Sequence, residues 1–292
     1  MKNAPLFSAK LLRQLKEALQ TPVSAEPIEA IDRQLIEAFV PLINWACQKY
    51  YRLSVEGLQN VPSGKGLLVG NHNSGVSFYE SLGVGARWYL ERGTDELIHS
   101  LAHDAIIDMP IGNRLLRRIG ALRASHESAR QAFERGRKVL VFPGGNLEAF
   151  RSYKERDRVV FGGRKGFIKL ALRAQVPIIP VVFVGGHETF FILNDGKKLA
   201  RLLRLDKIPI LRSNTWPLIA SLPFGLSLGP LPHIHLPAKC TTRFLKPISL
   251  EGYTPEDAEN PEVLEKIYLQ VTSTMQQHLS EMYAQRRLPL IG

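Results

Sequence analysis

The chain has 292 residues, 45% of them hydrophobic and 22% charged, a balance that excludes wholesale disorder and suffices for one large domain with appended helices. Its 38 Lys and Arg against 27 Asp and Glu leave a net charge of +11, an excess that attracts nucleic acid, anionic lipid or a phosphorylated carrier. Cys47 and Cys240 are far apart and have no neighbours at metal-ligand spacing, which argues against a disulfide framework or a zinc site and fits a reducing compartment.

Taken from the N-terminus, the first residues contain neither a long apolar core nor a small-residue cleavage site, so no signal peptide is expected. Residues 8–19 predict a basic amphipathic helix, with Leu11, Leu12, Leu15 and Leu19 on one face; such a helix suits either a bilayer interface or packing on the domain. A second helical run extends from Pro27 to about Tyr51, and Pro41 is expected to kink or break it. We therefore set 1–52 apart as an N-terminal helical segment, a candidate for membrane contact, and 53–292 as the main domain.

Beyond residue 53 the pattern changes to short apolar runs that end in Gly or Pro: Gly66–Gly70, Lys138–Phe142 and Ile178–Val184. Helical patterns separate them. Ser125 caps one that carries Ala129, Ala132 and Phe133 and stops at Gly136; Arg164–Ala174 forms another. Buried strands alternating with helices predict an α/β fold with a mostly parallel or mixed central sheet flanked by helices. The stretch Trp216–Pro237 is apolar, but Pro217, Pro223, Pro230 and Pro232 interrupt it, so no membrane-spanning helix is expected. Asn260 and Pro261 open a strong C-terminal helix.

In open α/β sheets the reactive residues collect where strands end. One strand end here carries Asn71-His72-Asn73-Ser74-Gly75, and another carries Pro143-Gly144-Gly145-Asn146-Leu147-Glu148. A strand-end His is poised to accept a proton from a hydroxyl, because its ordinary pKa near 6.5 leaves it mostly neutral at pH 7. A Gly-rich turn offers backbone N–H groups to a phosphate or an oxyanion. His187-Glu188 lacks the second His of a zinc-protease helix, and His233 and His235 have no nearby third ligand, so no metal is expected. No nucleic-acid recognition motif accompanies the positive charge.

Together these segments resemble the lysophospholipid and glycerolipid acyltransferases. Asn71–Gly75 resembles the family's first block with its catalytic His, and Gly120-Ala-Leu-Arg123 the second, whose Arg holds the acceptor's phosphate or head group. Phe142–Glu148 is similar to the third block in its Phe-Pro-Gly-Gly-x-x-Glu form, that of the diacylglycerol-acyltransferase-like branch. Val176–Val181 resembles the fourth. The likeness runs from about Gly66 to Gly186 and continues more weakly to Pro247.

The resemblance implies transfer of a fatty acyl group from acyl-CoA or acyl-carrier protein to a hydroxyl of a lipid acceptor, by a peripheral enzyme on the cytoplasmic face of a membrane, without a cofactor. It assigns catalysis to His72, with Glu80 as the candidate for its acidic partner, and substrate binding to Ser74, Gly75, Arg123, Pro143, Gly144, Gly145, Asn146 and Glu148. One departure stands out: the family's His-x-x-x-x-Asp puts an Asp five residues after the His, where this chain has Ser77. The nearest acid is Glu80. Either Glu80 orients the imidazole, or an acid comes from elsewhere, or His72 acts without one, or the protein is a catalytically weak or inactive lipid-binding member. His103 and Asp108 match the literal spacing, but no Asn, Ser or Gly surrounds that His, which is read as structural or pocket-lining.

Overall fold

The computed structural model describes residues 9–24, 26–73, 75, 79–108, 110–208, 213–229 and 233–288. Helices α1 (Ala9–Gln20) and α2 (Arg33–Lys49) precede strands β1 (Ser54–Glu56) and β2 (Gly66–Gly70). There follow α3 (Tyr79–Arg92), β3 (Ile98–Ala102), α4 (Asp104–Ile107), α5 (Pro110–Arg118), β4 (Ala121–Arg123), α6 (His126–Glu134) and β5 (Lys138–Val141). Then come α7 (Gly145–Ala149), α8 (Gly166–Ala174), β6 (Ile178–Val184), β7 (Phe191–Asn194) and α9 (Lys197–Leu202). Strands β8 (Leu218–Ser221), β9 (Gly225–Leu228) and β10 (Thr241–Phe244) lead to α10 (Pro261–Ala284).

The main sheet has the order β1-β10-β6-β2-β5-β3-β4. Its centre is parallel, β2 lying between β5 and β6, and β10 joins β6 antiparallel, so the sheet is mixed. Leu67, Leu68 and Val69 and nearly all of β6 are fully buried, as continuous apolar strands covered on both faces should be. On one face Leu67 and Val69 join the inner sides of α8 and α10; on the other Leu68 packs with Val84, Trp88 and Phe183. A β7-β8-β9 antiparallel sheet stands apart from the main one.

Helix α1 lies against α2 and α5 and buries Leu11, Gln14 and Ala18. The arginines of α5 hold the end of α1 and the chain just after it: Arg114 donates to the Leu19 carbonyl, Arg117 to that of Ser24 and Arg118 to that of Thr21. Helix α2 runs through Pro41 without the break that was one of the two expected outcomes. Pro41 is exposed, so the Glu37 carbonyl that loses its helical partner lies on the solvent side. No helix among the described residues is long and apolar enough to cross a membrane.

His99 of β3 is fully buried; its Nδ1 faces the Gly120 carbonyl at 3.1 Å and Arg137 donates to its Nε2 at 3.3 Å. Burial, reinforced by the Arg137 charge, lowers its pKa from 6.5 to about 4. The unfolded chain therefore binds a proton below pH 6.5 that the folded chain refuses, and stability falls as pH drops from 6.5 towards 4, by roughly 3 kcal/mol from this residue. His235, also held near 4 by burial, acts in the same window. Unfolding midpoints measured from pH 7 to pH 4 are expected to fall steeply, and His99→Gln should flatten part of that slope.

Candidate functional site

His72 follows the carboxyl end of β2, Phe142 that of β5, and Phe183 belongs to β6, so three neighbouring strands deliver the centre of the site. The His72 ring lies on Phe142, centroids 4.8 Å apart, and Phe142 lies on Phe183 at 5.7 Å. Gly70 makes this layer possible: a Cβ there would come within 2.7 Å of Phe142 and 2.8 Å of Phe183.

Glu80, in the first turn of α3, places Oε2 2.7 Å from His72 Nδ1. Its other oxygen accepts the Asn73 N–H at 3.0 Å. The reach expected for the longer glutamate side chain is thus achieved, in place of the family's Asp. The Glu80 side chain is 1% exposed and that of His72 22%, so the acid is sealed and the base open. With Nδ1 carrying its proton towards Glu80, Nε2 is left as the acceptor.

The loop bearing His72 is fastened at each residue. Asn71 acts as a backbone surrogate, its Oδ1 accepting the Phe183 N–H at 2.8 Å while its Nδ2 donates to the Phe183 carbonyl at 3.0 Å. Asn73 Nδ2 donates to that same carbonyl at 2.6 Å. The His72 N–H donates to Glu148 Oε2 at 2.9 Å, and Arg151 Nη1 donates to the His72 carbonyl at 2.5 Å. Arg151 is itself buried and satisfied by the carbonyls of Glu148, Glu155 and Arg156.

Glu148, for which a substrate-binding role was expected, spends its carboxylate on the backbone. Its carboxylate is fully buried and holds two backbone donors, His72 N–H and Val160 N–H, both at 2.9 Å. Burial pushes its pKa up, against the opposing pull of Arg151 and the two donors. Gly144 is required beside it, since a Cβ there would lie 2.4 Å from Glu148 Cβ and 2.6 Å from the Val160 carbonyl. Gly145 is also not a free oxyanion donor, because its N–H closes the turn onto the Phe142 carbonyl at 3.1 Å.

A cavity of about 500 Å³ opens at His72, bounded by Gly75, Glu80, Phe142, Gly145 and Asn146 among others. Leu82, Ile98, Leu101, Leu116 and Leu140 make much of its wall apolar, a character that suits a hydrocarbon chain. Ser74 and Ser77 lie outside the described residues. His103 is exposed and lines the cavity.

Arg123 does not line this cavity. It sits exposed at the end of β4, held by Asp104 at 2.6 Å and Asp108 at 2.7 Å. An acceptor phosphate would have to displace carboxylates already in place. Arg164, which the sequence reading took only as the start of a helix, does line the cavity and donates to the carbonyls of Pro143 and Gly144 at 3.0 and 2.8 Å. Among the described residues it has no carboxylate partner. No local pattern marks Arg164 or Arg151, since both are read as ordinary basic residues until the chain folds. Among the described residues no group of His, Cys, Asp and Glu could hold a metal ion.

Comparison with known proteins places these observations. A family model described as Acyltransferase matches residues 52–184. An uncharacterized protein of Mycobacterium tuberculosis is 32% identical over 253 residues, covering 86% of this chain and 67% of that protein. A mouse protein named as a DGAT1/2-independent enzyme synthesizing storage lipids is 28% identical over 53% of this chain and 45% of its own length. The crystal structure of the 1-acyl-sn-glycerophosphate acyltransferase PlsC from Thermotoga maritima superposes with a TM-score of 0.52. It covers 94% of this chain and 89% of that one at 16% identity, a likeness of fold.

Removing Glu148 should loosen the whole loop. Glu148→Ala leaves two buried N–H groups without acceptors and is expected to lower stability by on the order of 3 kcal/mol in denaturant unfolding, with activity falling alongside.

Proposed function

Since this chain belongs to the acyltransferase family, and a His–Glu pair stands at the mouth of an apolar cavity, we propose that it moves a fatty acyl group from a thioester carrier to a lipid hydroxyl with His72 as general base. The single observation that carries this reading is the 2.7 Å contact between His72 Nδ1 and the buried Glu80 carboxylate. In the proposed reaction His72 Nε2 takes the proton of the acceptor hydroxyl as its oxygen bonds to the thioester carbonyl carbon. The C–S bond of the tetrahedral adduct then breaks, and the imidazolium returns the proton to the departing thiolate. Glu80 holds the productive tautomer and stabilises the imidazolium between the two steps.

The acyl chain is assigned to the apolar wall of the cavity, with the ester-forming atoms at His72. Acyl-CoA and acyl-carrier protein are both anionic, which gives the +11 net charge a use in attracting the donor. An inactive, lipid-binding member is the alternative that the missing family Asp leaves open; the contact of Glu80 with His72 supports the active reading instead.

An acyl-transfer assay with labelled acyl-CoA and detergent-dispersed lysophosphatidic acid, lysophospholipid and diacylglycerol acceptors tests the proposal. Activity on one of them, abolished by His72→Ala with unfolding unchanged, is the expected result. Full activity of His72→Ala, or its loss in His103→Ala instead, overturns the assignment.

Glu80→Gln keeps the shape but removes the charge that favours imidazolium, so kcat should fall by at least about 100-fold. A change of less than threefold would show that His72 acts without its partner.

With a phosphorylated acceptor, Arg164→Ala is expected to raise KM more than Arg123→Ala does, because Arg164 faces the cavity and Arg123 is occupied by Asp104 and Asp108. Steady-state kinetics on both variants distinguishes the two.

A further inference from the structure

The β7-β8-β9 sheet presents an apolar face that the domain does not cover. Register pairs Ile219 of β8 with Ile192 and Ser227, and Ile192 and Ile219 are fully buried against Ala149, Phe150 and Phe190. Alternation along β9 then turns Leu226 and Leu228 to the opposite side, beside Ala220 and Leu218. Leu226 is 69% exposed and Leu228 54%; Phe224, in the turn between the strands, is 52% exposed and Leu222 53%.

Strand β9 is also a sheet edge. Soluble proteins normally guard such an edge with charge or a covering element, and an apolar one marks a contact surface. The sequence between Ser221 and Gly229 contains no charged residue.

Charge supplies the complement. Between Leu193 and Ile208 there are five basic residues and two acidic ones. Lys198, Arg201, Arg204 and Lys207 are exposed, and none has a carboxylate partner among the described residues. They accompany Leu202 and Leu203, also exposed, on and just after α9. Helix α9 starts beside the apolar strands, because the Trp216 N–H donates to the Asp195 carbonyl at 3.2 Å and the Gly229 N–H to the Pro217 carbonyl at 2.8 Å. Exposed apolar side chains with a neighbouring basic segment that has no carboxylate partners among the described residues fit the interface of an anionic bilayer, with aromatic and aliphatic groups among the acyl chains and Lys and Arg at the head groups.

The surface is continuous with the active cavity. Trp216 and Ser213 line that cavity, and Gly229 at the end of β9 lies against the Trp216 indole. Helix α1, by contrast, spends Leu11 and Ala18 on packing against the domain.

We propose that the β8–β9 hairpin and the basic α9 segment dock on an anionic lipid bilayer, presenting the cavity mouth to the membrane. Only its use in delivering lipid rests on the acyltransferase reading; docking is measured without turnover, so the two can fail separately.

The test is co-sedimentation of the full chain with phosphatidylcholine vesicles containing 30% phosphatidylglycerol, at about 0.1 and 0.5 M salt, where screening lengths differ severalfold. Wild type should bind, more weakly at high salt. Phe224→Ser with Leu226→Ser should lower the partition coefficient at least tenfold, while transfer between micelle-dispersed substrates and the unfolding midpoint stay unchanged. Arg201→Glu with Arg204→Glu, on an exposed segment, should give a comparable loss and keeps the test valid if the hairpin variant folds poorly. Leu12→Ser with Leu19→Ser on α1 should retain binding. Undiminished vesicle binding by the hairpin and charge variants, or loss confined to the α1 variant, overturns the proposal. So does a wild-type dimer that the hairpin substitutions turn into a monomer without changing vesicle binding.

Discussion

The hydrogen bond between Glu80 and His72 organises the loops around it. A carboxylate with 1% of its side chain exposed loses most of its hydration, and its partners must replace the water. Here one oxygen meets the imidazole and the other the Asn73 N–H, while its place in the first turn of α3 puts it at the positive end of a helix. Loop and helix must therefore converge, and the chain from Asn71 to Asn73 has little freedom in how it does so.

That convergence explains the density of polar anchors behind the ring. Asn71 and Asn73 bind Phe183 of the adjacent strand, Glu148 takes the His72 amide, and Arg151 takes its carbonyl. Each is buried, so each missing partner would cost the desolvation of its group. The arrangement places rigidity on the protein side of the imidazole and leaves the other side to the cavity. A base held this way loses little entropy when it takes up a proton from a bound hydroxyl.

Two sheets divide the remaining work. The parallel centre of the main sheet brings three strand ends together at one edge, where loops of different origin can meet. The small antiparallel sheet contributes to the same cavity through the segment that enters it, at Ser213 and Trp216, and turns its other face outward. Apolar cavity wall and apolar exterior thus adjoin, an arrangement suited to a substrate that spends its time in lipid.

Much of this was legible in the sequence because it is written in short-range patterns. Buried apolar runs ending in Gly or Pro located β2, β5 and β6; Ser125 and Asn260 cap the helices they were expected to cap; and the ordered blocks around His72 and Phe142 carry the family. Tertiary structure alone decided which groups meet. Glu148 reads like a ligand until its carboxylate is found on two backbone amides, and Arg123 reads like a phosphate site until Asp104 and Asp108 close on it. Arg164 and the β8–β9 hairpin left no pattern, one being a single basic residue and the other an apolar stretch broken by prolines. Periodicity and spacing report how a segment buries one side of itself. Which partner occupies a charge, and which apolar face stays uncovered, depends on how separate segments are brought together, over 15 and 19 residues for Arg123 and its two aspartates and over 76 for Glu148 and His72.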